Sequence, residues 1–282
     1  MIKSLFYSTV VASLCVASAG HAAHHEAGEK VAAAKTSIKQ AVSKNKFRTE
    51  LDIERDQFRS PIETLTFFGI KPDMTLVEVG PGGGWYTRIL APLVAEDGKY
   101  IATAYTPDPK SKRYAQSMKW RETYTAGPMF GKQASARFVG GPVPFAAPDS
   151  VDAILIFRGM HGMISYSDAD ANLAEMFTTL KPGGVLGIVQ HREKEDFDND
   201  PKKNMRGYVK QSYIIDLVER AGFKLAGSSE INANPKDPAD WPKGVWTLQA
   251  GKPLKEKDAK FVAIGESDRM TLKFIKPTGT GR

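Results

Sequence analysis

Two spacings of apolar residues alternate along most of this chain. Seven short apolar runs read as strands: "MTLVEVG" (74–80), "KYIATAYT" (99–106), "ARFVG" (136–140), "SVDAILI" (150–156), "VLGIVQH" (185–191), "KLAGSSEI" (224–231) and "RMTLKFIK" (269–276). Between them, "WYTRILAPLVA" (85–95), "SDADANLAEMFTTL" (167–180) and "QSYIIDLVERAGF" (211–223) carry helical spacing. Strand and helix in alternation predict an α/β, doubly wound, mostly parallel seven-stranded sheet with helices on both faces. The last strand is reached without a crossover helix, so it is expected to insert antiparallel.

Ahead of the first strand, "SPIETLTFFG" (60–69) predicts a short helix. Ser60 is the expected cap, Pro61 suits the first helical position, Glu63 completes a capping box, and Gly69 ends the helix. Residues 24–50 are rich in Ala and Lys and read as a loose helix or a mobile arm. Residues 232–263 fit the alternation poorly; "NPKDPADWPKGVW" within them, with Trp241 and Trp246, reads equally as a binding loop or a packing flap.

The first residues change the picture of location. "MIK" is followed by the apolar "SLFYSTVVASLCVASA" and small residues at Ala17–Gly20 and Gly20–Ala23, the pattern of a secretory signal peptide. Cys15 is the only cysteine and lies inside this segment, so the remainder has no thiol for a disulfide or a thiolate metal site. The expected address is periplasmic or secreted, with no stable membrane insertion once the signal is removed. The expected domains are a signal peptide (1–23), an N-terminal arm (24–55), and an α/β domain (56–282) with insertions at 106–135 and 232–263. The net charge of +7 is spread along the chain without a basic run, which disfavours nucleic acid as a partner and leaves a small-molecule substrate.

Candidate chemistry starts at "VEVGPGGGWYTRIL" (77–90). A glycine loop directly after the first strand lies where open parallel sheets bind ligands. Glycines let the backbone turn tightly and approach a ligand, and a helix starting near Trp85 would offer N–H groups. The dinucleotide pattern G-x-G-x-x-G would need a glycine at position 85, where Trp85 stands. The pattern present is an acid followed by alternate glycines: Glu78, Gly80, Gly82, Gly84.

This loop resembles motif I of the class I S-adenosylmethionine-dependent methyltransferases. "PVPFAAPDSVDAILI" (142–156) resembles that family's approach to its fourth strand, and "LKPGGVLGIV" (180–189) its turn into the fifth. The resemblance implies S-adenosylmethionine as cofactor. Gly80, Gly82 and Gly84 would face its methionine part, and Glu78 would bind its ammonium. The family usually ends the second strand with an acid that grips the ribose. Here Tyr105 stands near that place and Asp108 is displaced, and these two are the candidates for that contact.

"FRGMHGMISYSDAD" (157–170) resembles the segment of small-molecule O-methyltransferases that carries a histidine base after the fourth strand. His161 is the matching candidate base, and Arg158 the candidate to orient an acidic substrate. His191, at the end of the fifth strand, could pair with His161 around the substrate. Glu193 and Glu195 are near it in sequence but not at a recognised ligand spacing, so no metal is expected. Trp85 and Tyr86, just beyond the glycines, read as stacking on a ring or packing the helix, and packing is the expectation. "IGESDRM" (264–270) is read as a salt-bridged turn, with part of a substrate lid as the alternative. The two functional readings are methyl transfer to a small molecule, at oxygen, and a non-catalytic periplasmic ligand-binding protein that keeps the fold.

Overall fold

The computed structural model describes residues 14–43, 45–105, 110, 119, 122–124, 127–131, 134–140, 143–203, 206–249 and 251–279. Five parallel strands form the body of the sheet: β1 (Thr75–Val79), β2 (Lys99–Tyr105), β3 (Ser135–Val139), β4 (Val151–Phe157) and β5 (Leu180–Glu193). The two-residue β6 (Val209–Lys210) pairs only with the end of β5. β7 (Lys224–Ser229) and β8 (Arg269–Ile275) complete the spatial order β3-β2-β1-β4-β5-β8-β7, and β8 runs antiparallel to both neighbours. The order reverses between β1 and β4, so a crevice opens at their carboxyl ends.

The β-branched centres of β1 and β4 are buried on both faces. Val77, Ile154 and Ile156 pack towards one layer, and Leu76 and Leu155 towards the other. The first layer holds α6 (Met160–Tyr166), α7 (Ala169–Thr179) and α8 (Gln211–Arg220). The second holds α4 (Pro61–Phe68) and α5 (Thr87–Leu93). Helix α1 (Leu14–Ser43) lies against α4 and α5 and buries Ile38 and Val42 in the same cluster.

Two local expectations need correction. Ser60 does not cap α4 with its side chain, because its backbone is left-handed (φ 37°) and it makes no side-chain cap bond. Pro61 and the left-handed Gly69 (φ 76°) do open and close that helix. Regular helix after the glycine loop starts at Thr87 rather than near Trp85; residues 82–86 form turns.

The segment between α1 and α4 folds over the crevice as two short helices, α2 (Glu50–Glu54) and α3 (Asp56–Arg59). Thr49 caps α2, and Asp52 returns the capping-box bond. On the far side, 232–263 contains two short 3-10 turns (Gly244–Leu248 and Leu254–Glu256) before α9 (Ala259–Ile264).

Candidate functional site

A cavity of about 490 Å³ occupies the crevice. Glu78, the glycine loop, Arg158, His161 and His191 all border it, so the sequence-predicted groups converge on one place. Gly80, Gly82 and Gly84 all have positive φ (63°, 58° and 75°). A Cβ built on Gly80 or Gly83 meets nothing within 4 Å, and one on Gly82 meets only the Gly80 carbonyl at 4.0 Å. The loop therefore keeps bare main chain beside open space, as close ligand approach requires. At Gly84 the reason is different, since a Cβ there would press on Arg88 Nη1 at 3.1 Å.

Glu78 is buried at the end of β1. Its Oε2 accepts from Thr87 Oγ1 (2.7 Å) and from the Tyr100 hydroxyl (2.6 Å). Burial pushes its pKa up to about 7, against the lowering effect of these two bonds. Tyr105 closes β2; its side chain and Asp108 lie outside the described residues.

Trp85 and Tyr86 pack, as expected, and the packing fixes the loop. Trp85 Nε1 donates to the Asp52 carbonyl (3.0 Å), and the Arg48 and Arg59 guanidiniums lie 5.2 and 4.7 Å from its ring. Tyr86 stacks on Phe157 at the end of β4, with centroids 3.4 Å apart and planes within 10°. Tyr124 donates its hydroxyl to the Gly82 carbonyl at 2.6 Å.

His161 and His191 have ring centroids 5.9 Å apart, and Trp246 lies 5.6 Å from His161. Gln190 decides the tautomer of His161. Its Oε1 accepts from the Met160 N–H (3.1 Å) and its Nε2 donates to the Gly207 carbonyl (2.8 Å), which fixes the amide orientation. The same Nε2, 3.3 Å from His161 Nδ1, must then donate to it. His161 thus carries its proton on Nε2. Its geometry suits a donor from that atom, whereas a base at Nε2 needs the other tautomer. His191 Nδ1 lies 2.5 Å from Ser267 Oγ. Burial lowers the pKa of both histidines, and the Arg158 charge lowers that of His191 further, so both are neutral near pH 7.

The carboxylates near His191 in sequence turn elsewhere. Glu193 pairs with Arg206 (3.2 Å), and Glu195 accepts from Ser212. Among the described residues no group of three His, Cys, Asp or Glu could hold a metal ion.

Sequence reading missed the arginines. Arg55 and Arg59, from the segment over the crevice, meet Glu266 and Arg269 from the far end of the chain. Glu266 Oε1 is 2.6 Å from Arg55 Nε, and its Oε2 is 3.0 Å from Arg59 Nε and 3.2 Å from Arg269 Nη1. Burial would raise the Glu266 pKa, but Arg59, Arg269 and Arg55 hold it well below the usual carboxylate range. The expected turn at 264–270 is therefore a long-range ion cluster at Glu266, while Asp268 pairs with Arg192 at 2.9 Å. The only local hint was the i,i+4 spacing of Arg55 and Arg59.

Residues 77–188 match the family described as "Methyltransferase domain". No curated protein matches the chain. Similar solved structures include a SAM-dependent methyltransferase from Aquifex aeolicus, at 19% identity and TM-score 0.48, covering 78% of this chain and 92% of that one. A methyltransferase from Bacillus halodurans aligns at 16% identity and TM-score 0.42, over 77% of this chain and 98% of the other. Phosphoethanolamine N-methyltransferase 2 from Haemonchus contortus, in complex with S-adenosyl-L-methionine, aligns at 12% identity and TM-score 0.46, over 80% and 56%. Over residues 77–188, then, this chain is similar to the methyltransferase-domain family.

Proposed function

We propose that this protein transfers a methyl group from S-adenosylmethionine to an oxygen of a small molecule. One observation carries the reading: two left-handed glycines, Gly80 and Gly82, hold bare backbone against a cavity that also receives the buried carboxylate of Glu78 and the end of β4. That arrangement fits the cofactor. Gly80 and Gly82 leave room at the backbone. Glu78, neutral or ionised around pH 7, is the partner for an ammonium group. When bound, S-adenosylmethionine would supply a sulfonium methyl group; the acceptor oxygen would take the methyl as the S–CH3 bond breaks, its proton would pass to water, and S-adenosylhomocysteine would leave.

The chain's own residues orient the acceptor. His161 offers Nε2–H to its oxygen, and His191, neutral and held by Ser267, forms the adjoining wall. Trp85, pinned between Arg48 and Arg59, keeps the loop in place while ligands exchange. The apolar leader at residues 4–19 supports a place of work outside the cytosol.

The tautomer of His161 favours the second reading, a ligand-binding protein without chemistry, since no residue is set as a base. The two separate by experiment. Calorimetry with S-adenosylhomocysteine, followed by incubation with methyl-labelled S-adenosylmethionine and a panel of phenols, is expected to give binding and labelled methyl ether. Binding without label would support the second reading, and no binding at millimolar ligand would end the first. Separate maturation of the exported chain is read by mass: loss of residues up to about position 23 is expected, and an intact N-terminus in the export compartment would contradict it.

A further inference from the structure

Beside the main cavity lies a smaller one of about 300 Å³, and the two share Arg55, Arg59, Arg158, His191 and Trp246. Its charge is unbalanced. Arg55, Arg59, Arg158 and Lys252 border it, and the carboxylate in its wall is Glu266. That single carboxylate is already claimed by Arg55, Arg59 and Arg269.

Arg158 makes no hydrogen bond or ion pair with it. Its guanidinium makes no hydrogen bond or ion pair among the described residues, and Nη1 is buried without a partner. Arg59, with 1% of its side chain exposed, reaches Glu266 through Nε and also leaves Nη1 buried and unpartnered. Leaving a buried guanidinium nitrogen unmatched is costly, and native proteins rarely do so twice at one place without a ligand to answer it. Arg158 also stands in a left-handed backbone conformation (φ 57°), which a non-glycine residue adopts at a cost and which recurs at ligand sites. Burial, and then the neighbouring Arg59, disfavours the charged form of Arg158, so the free protein holds an unmatched cation against an opposing field.

We propose that the cavity walled by Arg55, Arg59 and Arg158 binds a compact oxyanion, a carboxylate or a phosphate, carried by the methyl acceptor, so that the acceptor is an acidic small molecule. That the anion belongs to an acceptor rests on the methyl-transfer reading; the anion site itself does not. The planar forks of Arg59 and Arg158 suit two oxygens of one anion. Trp246, 60% exposed and bordering both cavities, offers a ring face to the rest of the molecule.

The test is calorimetry on the full chain with 4-hydroxybenzoate, phenyl phosphate and 4-cresol, alone and with saturating S-adenosylhomocysteine. At least one anion is expected to bind ten times or more tightly than neutral 4-cresol, and the tighter of the two names the group. Binding should weaken with added salt and persist beside S-adenosylhomocysteine. Equal binding of 4-cresol, or no anion binding at millimolar concentration, overturns the proposal. Displacement by S-adenosylhomocysteine also overturns it, since the arginines would then hold the cofactor's own carboxylate. Arg158→Met should lose at least tenfold in anion affinity while melting at or above the wild-type temperature, because Arg158 has no hydrogen bond or ion pair among the described residues to lose. Unchanged affinity, or a lower Tm, would show a structural role instead. Anion binding without S-adenosylhomocysteine binding sinks methyl transfer and leaves this site; the converse sinks this site alone.

Discussion

Arg88, on the helix after the glycine loop, grips Asp52 of the overlying segment through Nε–Oδ2 and Nη2–Oδ1 contacts of 2.7 and 2.6 Å. This fork is the mechanical link between the two walls of the crevice. Asp52 also closes the capping box of α2, and its main-chain carbonyl receives Trp85 Nε1. Burial acts to raise its pKa, but Arg88 and Thr49 outweigh it and hold the carboxyl ionised. Asp52→Ala should destabilise the protein by about 2–4 kcal/mol, since it strands a partly buried arginine and removes a cap. Urea melts would measure it. Affinity for S-adenosylhomocysteine should fall about tenfold or more as the loop loosens, and an unchanged affinity would show that the overlying segment has no hold on the loop.

Gly82→Val separates backbone strain from ligand approach. A β-branched side chain at φ 58° costs about 1–2 kcal/mol, and the open surroundings add no clash. The variant should fold with a modest loss in Tm and fail to bind S-adenosylhomocysteine. Normal binding by a folded Gly82→Val protein would place the ligand elsewhere.

Glu78 makes the free protein and the complex respond oppositely to one change. Its folded pKa, about 7, is above that of an unfolded glutamate near 4.5. A raised pKa means that stability from this group is full below about pH 4.5 and is lost as pH rises through 7. Glu78→Gln removes that loss, so it should stabilise the ligand-free protein at pH 8 by about 1–3 kcal/mol and change little at pH 4. S-adenosylhomocysteine affinity should rise with pH between 6 and 8 in the wild type and stay flat in Glu78→Gln. A flat wild-type profile would remove the ammonium contact.

His191 and Glu266 set the acid limit. Both have pKa values lowered in the folded state, His191 by burial and Arg158, Glu266 by its arginines in spite of burial. A lowered pKa gives stability that is present above the unfolded value and lost as pH falls towards the folded one. In Glu78→Gln, which lacks the opposing titration of Glu78, denaturation midpoints should therefore decline in two stages, one beginning near pH 6.5 and one near 4.5. His191→Asn should abolish the first stage, and its survival would assign that stage to another group.

For His161, substitution by Ala should lower kcat about 10- to 100-fold with little change in S-adenosylhomocysteine affinity. Gln, which retains an N–H donor, should recover part of the loss if the role is donation from Nε2. Equal loss in both variants would favour proton abstraction.

The strands were legible because parallel strands buried on both faces are continuous apolar runs, as in "VDAILIF" of β4. The antiparallel insertion of β8 was legible because 232–263 carries no sustained helical spacing; the six-residue α9 within it is too short to serve as a crossover. The glycine loop and Glu78 were legible because their chemistry is local. Ser60 misled because a Ser before Pro reads as a cap whatever its backbone does, and here the left-handed conformation turns the side chain away from that duty. The arginine cluster was illegible for a different reason. Arg55 and Glu266 are separated by 211 positions, and no periodicity along the chain encodes that pairing. The tautomer of His161 likewise depends on Gln190, 29 positions away on β5.

That separation has a bearing on the order of events in the cell. The two sides of the arginine-lined cavity leave the ribosome 211 positions apart, so no nascent fragment that lacks β8 owns a finished cavity. On the proposed export route, a polypeptide threaded through a translocation channel would arrive empty-handed and would meet its small-molecule partners only after β8 has slotted home.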